Sequence, residues 1–389
     1  GSKNQPGGCS KAMTDRFLDL ILPGVLPDLE RISAAELEEI YHLSVGHNLF
    51  MLVYTRLKRG AGPDGSKELS DFLERNKSSY LLNVSLAIQQ EALENKLIRD
   101  LNDSGVPALV LKGNALAREV YEAPNTRTSV DIDLLIRIDD VREAHTRLQA
   151  NGFECGEQGS IEFWIHRKHH LVYKNPGHKT LVEVHWDFGI PGFFSICSDD
   201  IWEKVSYDGN GLPYLQPEML LVHLFVHNSL HAFRELRLFV DILWAMEKYR
   251  DVIDWADFTH VLKKSGLLKT AFISLRLIRR IWGDRIEPGG TVDVLYRHIR
   301  KEFVLPPVLL CRYFDYGVVH KPVYSHHRDQ FFIRLTLDRP GAVARSFLKS
   351  FFPSPEEMRS FYRDDRAWKL PVNYVRFAGW RMSEWRKGR

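Results

Sequence analysis

Apolar residues recur at helical spacing from Ala12 to about Arg59, as Phe17, Leu20 and Ile21 and then Leu37, Ile40, Tyr41 and Leu43. Gly60-Ala-Gly-Pro-Asp-Gly-Ser66 breaks that pattern and reads as a loop. A longer stripe follows: Leu69, Phe72, Leu73, Tyr80, Leu86, Leu93, Leu97 and Leu101 predict one helix from about Lys67 to Leu101. Asn102-Asp-Ser-Gly105 closes it, with Gly105 as a left-handed cap.

The period changes at Val106. Pro107–Lys112 reads as a short buried strand, and Gly113-Asn114 turns it into a short helix ending near Glu122. After the loop 124–128, a strand runs from Ser129 to Ile138, then a helix capped by Asp139 or Asp140 runs to Ala150. His170–Lys174 and Thr180–Asp187 read as a hairpin around Asn175-Pro-Gly-His178. From Pro217 the helical period returns over 217–232, 235–249, 255–264 and 267–282, with no internal repeat. The expected fold is α+β, a small mixed β-sheet flanked by helical regions. Its divisions are 1–105 (N-terminal helices), 106–215 (the α/β module) and 216–389 (C-terminal helices).

Composition changes this picture little. The chain has 389 residues, enough for two or three domains. Its 53 basic and 50 acidic residues leave a formal net charge of +3, so charge indicates no nucleic-acid partner. Hydrophobic and charged fractions are ordinary for a globular protein and exclude collagen-like, coiled-coil and wholly disordered chains. Cys9, Cys155, Cys197 and Cys311 are scattered without C-x-x-C spacing, which predicts reduced thiols and a cytoplasmic location. No apolar run is long enough for a membrane span. The first eight residues read as a cloning remnant and flexible lead-in rather than a signal peptide.

The chemistry concentrates in two strands. In Ser129-Val-Asp-Ile-Asp-Leu-Leu-Ile136, alternation puts Asp131 and Asp133 on one face and Ile132, Leu134 and Ile136 on the other. Adjacent carboxylates repel unless a cation compensates, and Mg²⁺ favours carboxylates plus substrate phosphates. In Leu181–Asp187 the same alternation groups Glu183, His185 and Asp187. If the strands are neighbours, Glu183 becomes a third carboxylate, and three can hold two metal ions. Upstream, Lys112-Gly113-Asn114 sits where a strand opens onto a helix, a plausible phosphate cradle.

In this order the motifs resemble the DNA polymerase β-type nucleotidyltransferases, in particular an uncharacterised bacterial nucleotidyltransferase family. The pattern reads Leu111-Lys-Gly113, Arg127, Asp131-Ile-Asp-Leu-Leu135 and Val182-Glu-Val-His-Trp186, with His-Leu-Phe-Val-His227 and Leu236-Arg-Leu-Phe-Val-Asp241 beyond. The resemblance is firmest over roughly 106–245. One departure is Asn114, where the superfamily usually has Ser after the glycine. The resemblance implies transfer of a nucleoside monophosphate from an NTP to an acceptor, with release of pyrophosphate. It implies Mg²⁺, or alternatively Mn²⁺, on Asp131, Asp133 and Glu183, with Glu183 helping to deprotonate the acceptor. Lys112, Gly113 and Asn114 would contact the triphosphate, and Arg127 would neutralise the leaving pyrophosphate. The acceptor stays open among small molecules, peptides and proteins, as does the oligomeric state.

Other features carry blander expectations. His223, His227 and His231 fall on one helix face and read as cleft-lining or hydrogen-bonded side chains before metal ligands. Arg237 and Asp241 are spaced for an i, i+4 ion pair. The run His166-Arg-Lys-His-His170 reads as a solvated edge, and Asp187 as a rim residue. The segment 374–389 has five basic residues to one acidic, interleaved with aromatics. It suits packing on the body, an acidic partner, or peripheral contact with an anionic membrane. Two other functions share the motifs: a D-x-D metal-dependent glycosyltransferase, disfavoured by the helices that precede the motif, and a catalytically inactive nucleotide-binding or interaction module on the same fold.

Overall fold

A computed structural model describes residues 11–25, 29, 31–61, 66–157, 161–165, 168–207, 209, 211–304, 307–308, 333–362 and 366–387. The lead-in, Cys9, Cys311, His166, Arg167 and the last two residues lie outside the described residues. Four helices open the chain: α1 (Lys11–Ile21), α2 (Ala34–Gly46), α3 (Phe50–Gly60) and α4 (Lys67–Asn102). Gly105 takes the left-handed conformation expected of it, and two further caps appear. Ser33 and Glu36 form a capping box on α2, the Ser66 hydroxyl accepts the Leu69 N–H on α4, and Gly105 has φ +80°.

The module follows as β1 (Ala108–Val110), α5 (Asn114–Val120), β2 (Asp131–Ile136), α6 (Val141–Ala150), β3 (Glu154–Cys155), α7 (Ile161–Ile165), β4 (His170–Asn175) and β5 (His178–His185). Neither Asp139 nor Asp140 caps α6 through its side chain; a 3₁₀ turn over Ile138–Asp140 leads into the helix instead. The sheet order is β1-β2-β5-β4-β3, mixed because β2 pairs antiparallel with β1 and parallel with β5. A short helix α8 (Ser198–Trp202) and a hairpin of β6 (Val205–Tyr207) and β7 (Pro213–Leu215) lead to the second helical region. That region holds α9 (Pro217–Leu230), α10 (Leu236–Lys248), α11 (Trp255–Ser265), α12 (Leu268–Trp282) and α13 (Thr291–Lys301), with further helices at Pro340–Phe351, Pro355–Tyr362 and Leu370–Lys387. The chain is thus α+β, as its pattern predicts. Among the described residues, no helix is long and apolar enough to cross a membrane.

Two apolar clusters place the sheet. One collects Ile132, Leu134, Ile136, Val182 and Val184 with Leu93, Leu97 and Leu101 of α4 and Val141, Ala144 and Leu148 of α6. The other joins Phe17, Leu20, Leu37, Leu52 and Phe72 from the first helices to Phe225, Phe239, Phe258, Phe272 and Trp282 from the later ones. Helices from both ends of the chain therefore share one core. Leu109, Leu111 and Leu135 belong to that second cluster, so the opposite face of β1 and β2 rests on the helical body. At 1.5 Å per residue α4 is about 54 Å long. That reach lets its first turns enter the helical core and its last turns cover the sheet.

Candidate active site

Alternation along β2 points Ile132, Leu134 and Ile136 into the α4–α6 core and leaves Asp131, Asp133 and Leu135 on the side of the helical body. Parallel pairing sets Asp133 directly opposite Glu183 and Leu135 opposite His185. The two predicted strands are thus neighbours, and their polar faces coincide. A one-residue slip of either strand would exchange this face for the apolar one.

Asp133 is the buried centre, 1% exposed. Lys112 Nζ lies 2.9 Å from its Oδ1, and His185 Nε2 lies 3.1 Å from the same oxygen and 3.3 Å from Glu183 Oε2. Burial works against ionising Asp133, but Lys112 and then His185 outweigh it and hold the carboxyl well below its usual range. Glu183 is likewise opposed by burial and lowered by the His185 hydrogen bond. His185 is pulled both ways: burial disfavours its cation, while the two carboxylates raise it above the ordinary histidine value. Asp133 Oδ2 and His185 Nδ1 are buried without partners.

Asp131 stands apart from this cluster. Its carboxylate accepts a hydrogen bond from the Ser129 hydroxyl at 2.6 Å, and its backbone carbonyl accepts one from the Gln90 amide at 2.7 Å. Ligand-type atoms within 4.8 Å of one another unite Asp133, Glu183 and His185 without Asp131.

Gly113 opens α5 with φ +66°, a conformation that favours glycine. A Cβ there would lie 3.4 Å from the Ser129 Cβ, so the turn passes close to the chain entering β2. The Asn114 side chain points inward, donating to the Ala87 carbonyl at 3.1 Å and to Glu94 Oε1 at 3.3 Å. Glu94 is itself buried, and that burial raises its carboxyl to about 8. A cavity of about 370 Å³ opens behind this turn, lined by Glu94, Ile98, Leu116, Arg118 and Tyr214, and includes none of the β2 or β5 carboxylates.

Asp241 does not form the expected pair with Arg237. It takes Arg127, with Nε 2.9 Å from Oδ1 and 3.1 Å from Oδ2, and accepts the Tyr121 hydroxyl at 2.6 Å. Arg237 donates instead to the Thr128 carbonyl at 3.1 Å. The buried Arg127 brings its charge to a carboxylate already enclosed beside Tyr121, whereas Arg237 reaches the loop. Arg127 Nη1 remains buried without a partner.

On α9 the predicted histidine stripe is present. His223 and His227 stack at 5.9 Å, and Phe188, just beyond β5, packs on His223 at 4.8 Å. Burial keeps His223 neutral, its pKa lowered to about 3, and both of its ring nitrogens lack partners. His231 lies 2.6 Å from Glu235. His223 lies within electrostatic reach of Lys112, His185 and Asp133, so α9 flanks the acidic face of the sheet.

A family model of an uncharacterised nucleotidyltransferase matches residues 33–283. The chain belongs to that nucleotidyltransferase family. The match takes in α2 through α12, so it spans the sheet, most of the N-terminal helical region and the first four helices of the C-terminal one. No curated protein matches the chain.

Sequence reasoning missed two features of this nucleotidyltransferase. His185 shares the acidic face by simple alternation, a signal that was available, but its role as the bridge between Asp133 and Glu183 needs the register. The end of the basic run is not a solvated edge: His169 and His170 turn in against His185. Burial lowers His169 to about 2 and His170 to about 4. His169 precedes β4, where alternation does not apply, so no sequence period could place it.

Proposed function

We propose that this nucleotidyltransferase moves a nucleoside monophosphate from an NTP to an acceptor, with Mg²⁺ on Asp131, Asp133 and Glu183. The observation that carries the reading is the pairing of Asp133 with Glu183 on adjacent parallel strands, with Asp133 Oδ2 buried and unpartnered. Buried carboxylates with unused lone pairs suit a hard divalent cation. When bound, such ions polarise phosphate oxygens and lower the pKa of an attacking oxygen.

The residues of the chain divide the remaining work. Glu183, held ionised, accepts the proton of the acceptor hydroxyl. The new bond joins that oxygen to the α-phosphorus, the bridging oxygen between α and β leaves, and pyrophosphate carries the electron pair away. Lys112, Gly113 and Asn114 contact the triphosphate, Asn114 through its backbone, since its side-chain amide is held inside by Ala87 and Glu94. Arg127 keeps Nη1 free for the leaving group, an unpartnered buried donor that favours an anion. His185 fixes the orientation of Asp133 and Glu183. The inward Asn114 amide and the displaced Asp131 favour one second reading, a nucleotide-binding module without turnover.

The experiment is incubation of the purified chain with each α-labelled NTP, Mg²⁺ and a panel of candidate acceptors, followed by pyrophosphate release. Carboxylate-dependent label transfer supports the transferase. Nucleotide binding with no release under any acceptor supports the inactive module, and no Mg²⁺-dependent nucleotide binding defeats both.

A further inference from the structure

Beside the carboxylates lies a histidine cluster of which the transfer reaction uses only His185, to orient Asp133 and Glu183. His170 pairs with His185 across the antiparallel β4–β5 ladder, and their rings stack with centroids 4.8 Å apart at 27°. His169 closes the group, its ring centroid 4.4 Å from that of His170 and 5.8 Å from that of His185. One ring nitrogen from each of the three lies within 4.8 Å of the others.

Two observations separate this cluster from mere packing. His170 Nδ1 and His169 Nε2 are 3.0 Å apart. Two imidazole nitrogens on one tetrahedral ion, with metal–nitrogen bonds of 2.0–2.1 Å, sit about 3.3 Å apart, so little movement separates the observed pair from a ligating one. A hydrogen bond between them would account for that pair alone. It would not account for His185, whose Nε2 edge faces Asp133 and Glu183 while Nδ1 is buried with no partner. A ring nitrogen turned to carboxylates, with the other left for a cation, is the carboxylate–histidine–metal arrangement that orients ligating histidines.

We propose that His169, His170 and His185 form a second metal site, which takes a borderline-soft divalent ion of the Zn²⁺ and Co²⁺ class. Imidazole ligands suit that class, whereas Mg²⁺ takes oxygen ligands. Binding displaces any proton on the ligating nitrogens, and three protein ligands leave a fourth position for water or a substrate oxygen. The site does not depend on the transfer reaction.

The test is a Co²⁺ titration of the chelator-stripped full chain, followed by visible absorption, with Zn²⁺ competition by calorimetry. One saturable equivalent with four- or five-coordinate cobalt bands is expected, retained in Asp131→Asn and weakened at least about 100-fold in His169→Gln/His170→Gln. Equal binding by the wild-type chain and that double variant, or no saturable binding, overturns the site. X-ray absorption of the wild-type Zn²⁺ form guards against a variant that fails to fold: two or three imidazoles at about 2.0–2.1 Å support the site, and fewer overturn it. Loss of NTP turnover in Asp131→Asn with cobalt binding intact separates this site from the transfer reaction.

Discussion

Arg127 and Asp241 meet with both side chains buried, joining the loop that feeds β2 to helix α10 through a guanidinium–carboxylate contact at 2.9 Å. Burial disfavours the Arg127 cation, but Asp241 outweighs it and raises Arg127 above its ordinary value. Tyr121, which also donates to Asp241, stacks on Trp244 at 4.9 Å, so the contact is enclosed. It ties the sheet to the helical body beside the candidate site.

Removing one partner of such a pair leaves the other charge buried. Asp241→Ala is expected to cost about 3–5 kcal/mol, read by urea denaturation. Arg127→Met/Asp241→Leu, which removes both charges, is expected to recover most of that loss.

The acidic pair on β2 separates stability from chemistry. Asp131 is half-buried and its carboxylate contacts a serine, so Asp131→Asn is expected to change stability by less than about 1 kcal/mol. Its Mg²⁺-dependent NTP turnover should fall at least about 100-fold. Asp133→Asn should lose turnover as well, and in addition cost several kcal/mol, roughly 3–5, because Lys112 is left buried without its carboxylate. Thermal melts beside pyrophosphate release distinguish the two variants.

Glu94 carries a pH signature of stability. Its folded pKa of about 8 lies above its ordinary value, with burial as the main cause. A raised carboxyl contributes fully below its unfolded pKa, and that contribution is lost as pH rises through the folded value. Stability should therefore fall between about pH 4.5 and pH 8 through this group. Glu94→Gln should flatten that slope and be the more stable protein at pH 9, by roughly 3–5 kcal/mol. Denaturation midpoints across that range provide the check; parallel curves for the two proteins would remove Glu94 as the source.

Asn114 is expected to matter to the fold before it matters to the nucleotide. Its amide donates to Ala87 and Glu94 in the interior, so Asn114→Ala should cost roughly 1–3 kcal/mol. The KM for NTP should stay within a few-fold of wild type. A large rise in KM with unchanged stability would place the amide on phosphate instead.

Local pattern and tertiary structure contributed differently. Helical periods predict α4 and α9–α12 to within a few residues, because an amphipathic stripe reports which face is buried whatever covers it. Alternation alone predicts that Asp131 and Asp133 share a face, and Glu183 with His185, since side chains alternate in any strand. The family-like order of these motifs could also be read directly from the chain. Three things depended on tertiary structure. The β2–β5 register set Asp133 against Glu183, and registers between strands joined by a long crossover are decided by packing of their apolar faces. Asp241 took Arg127, 114 residues away, over Arg237 four residues away, because an enclosed contact gains more than one reaching the loop. His169 and His170 turned inward from a run that looks like a charged edge, since the neighbouring strand carried His185 to meet them. Sequence determined which groups each element offers; the meeting of elements far apart in the chain decided which of them touch.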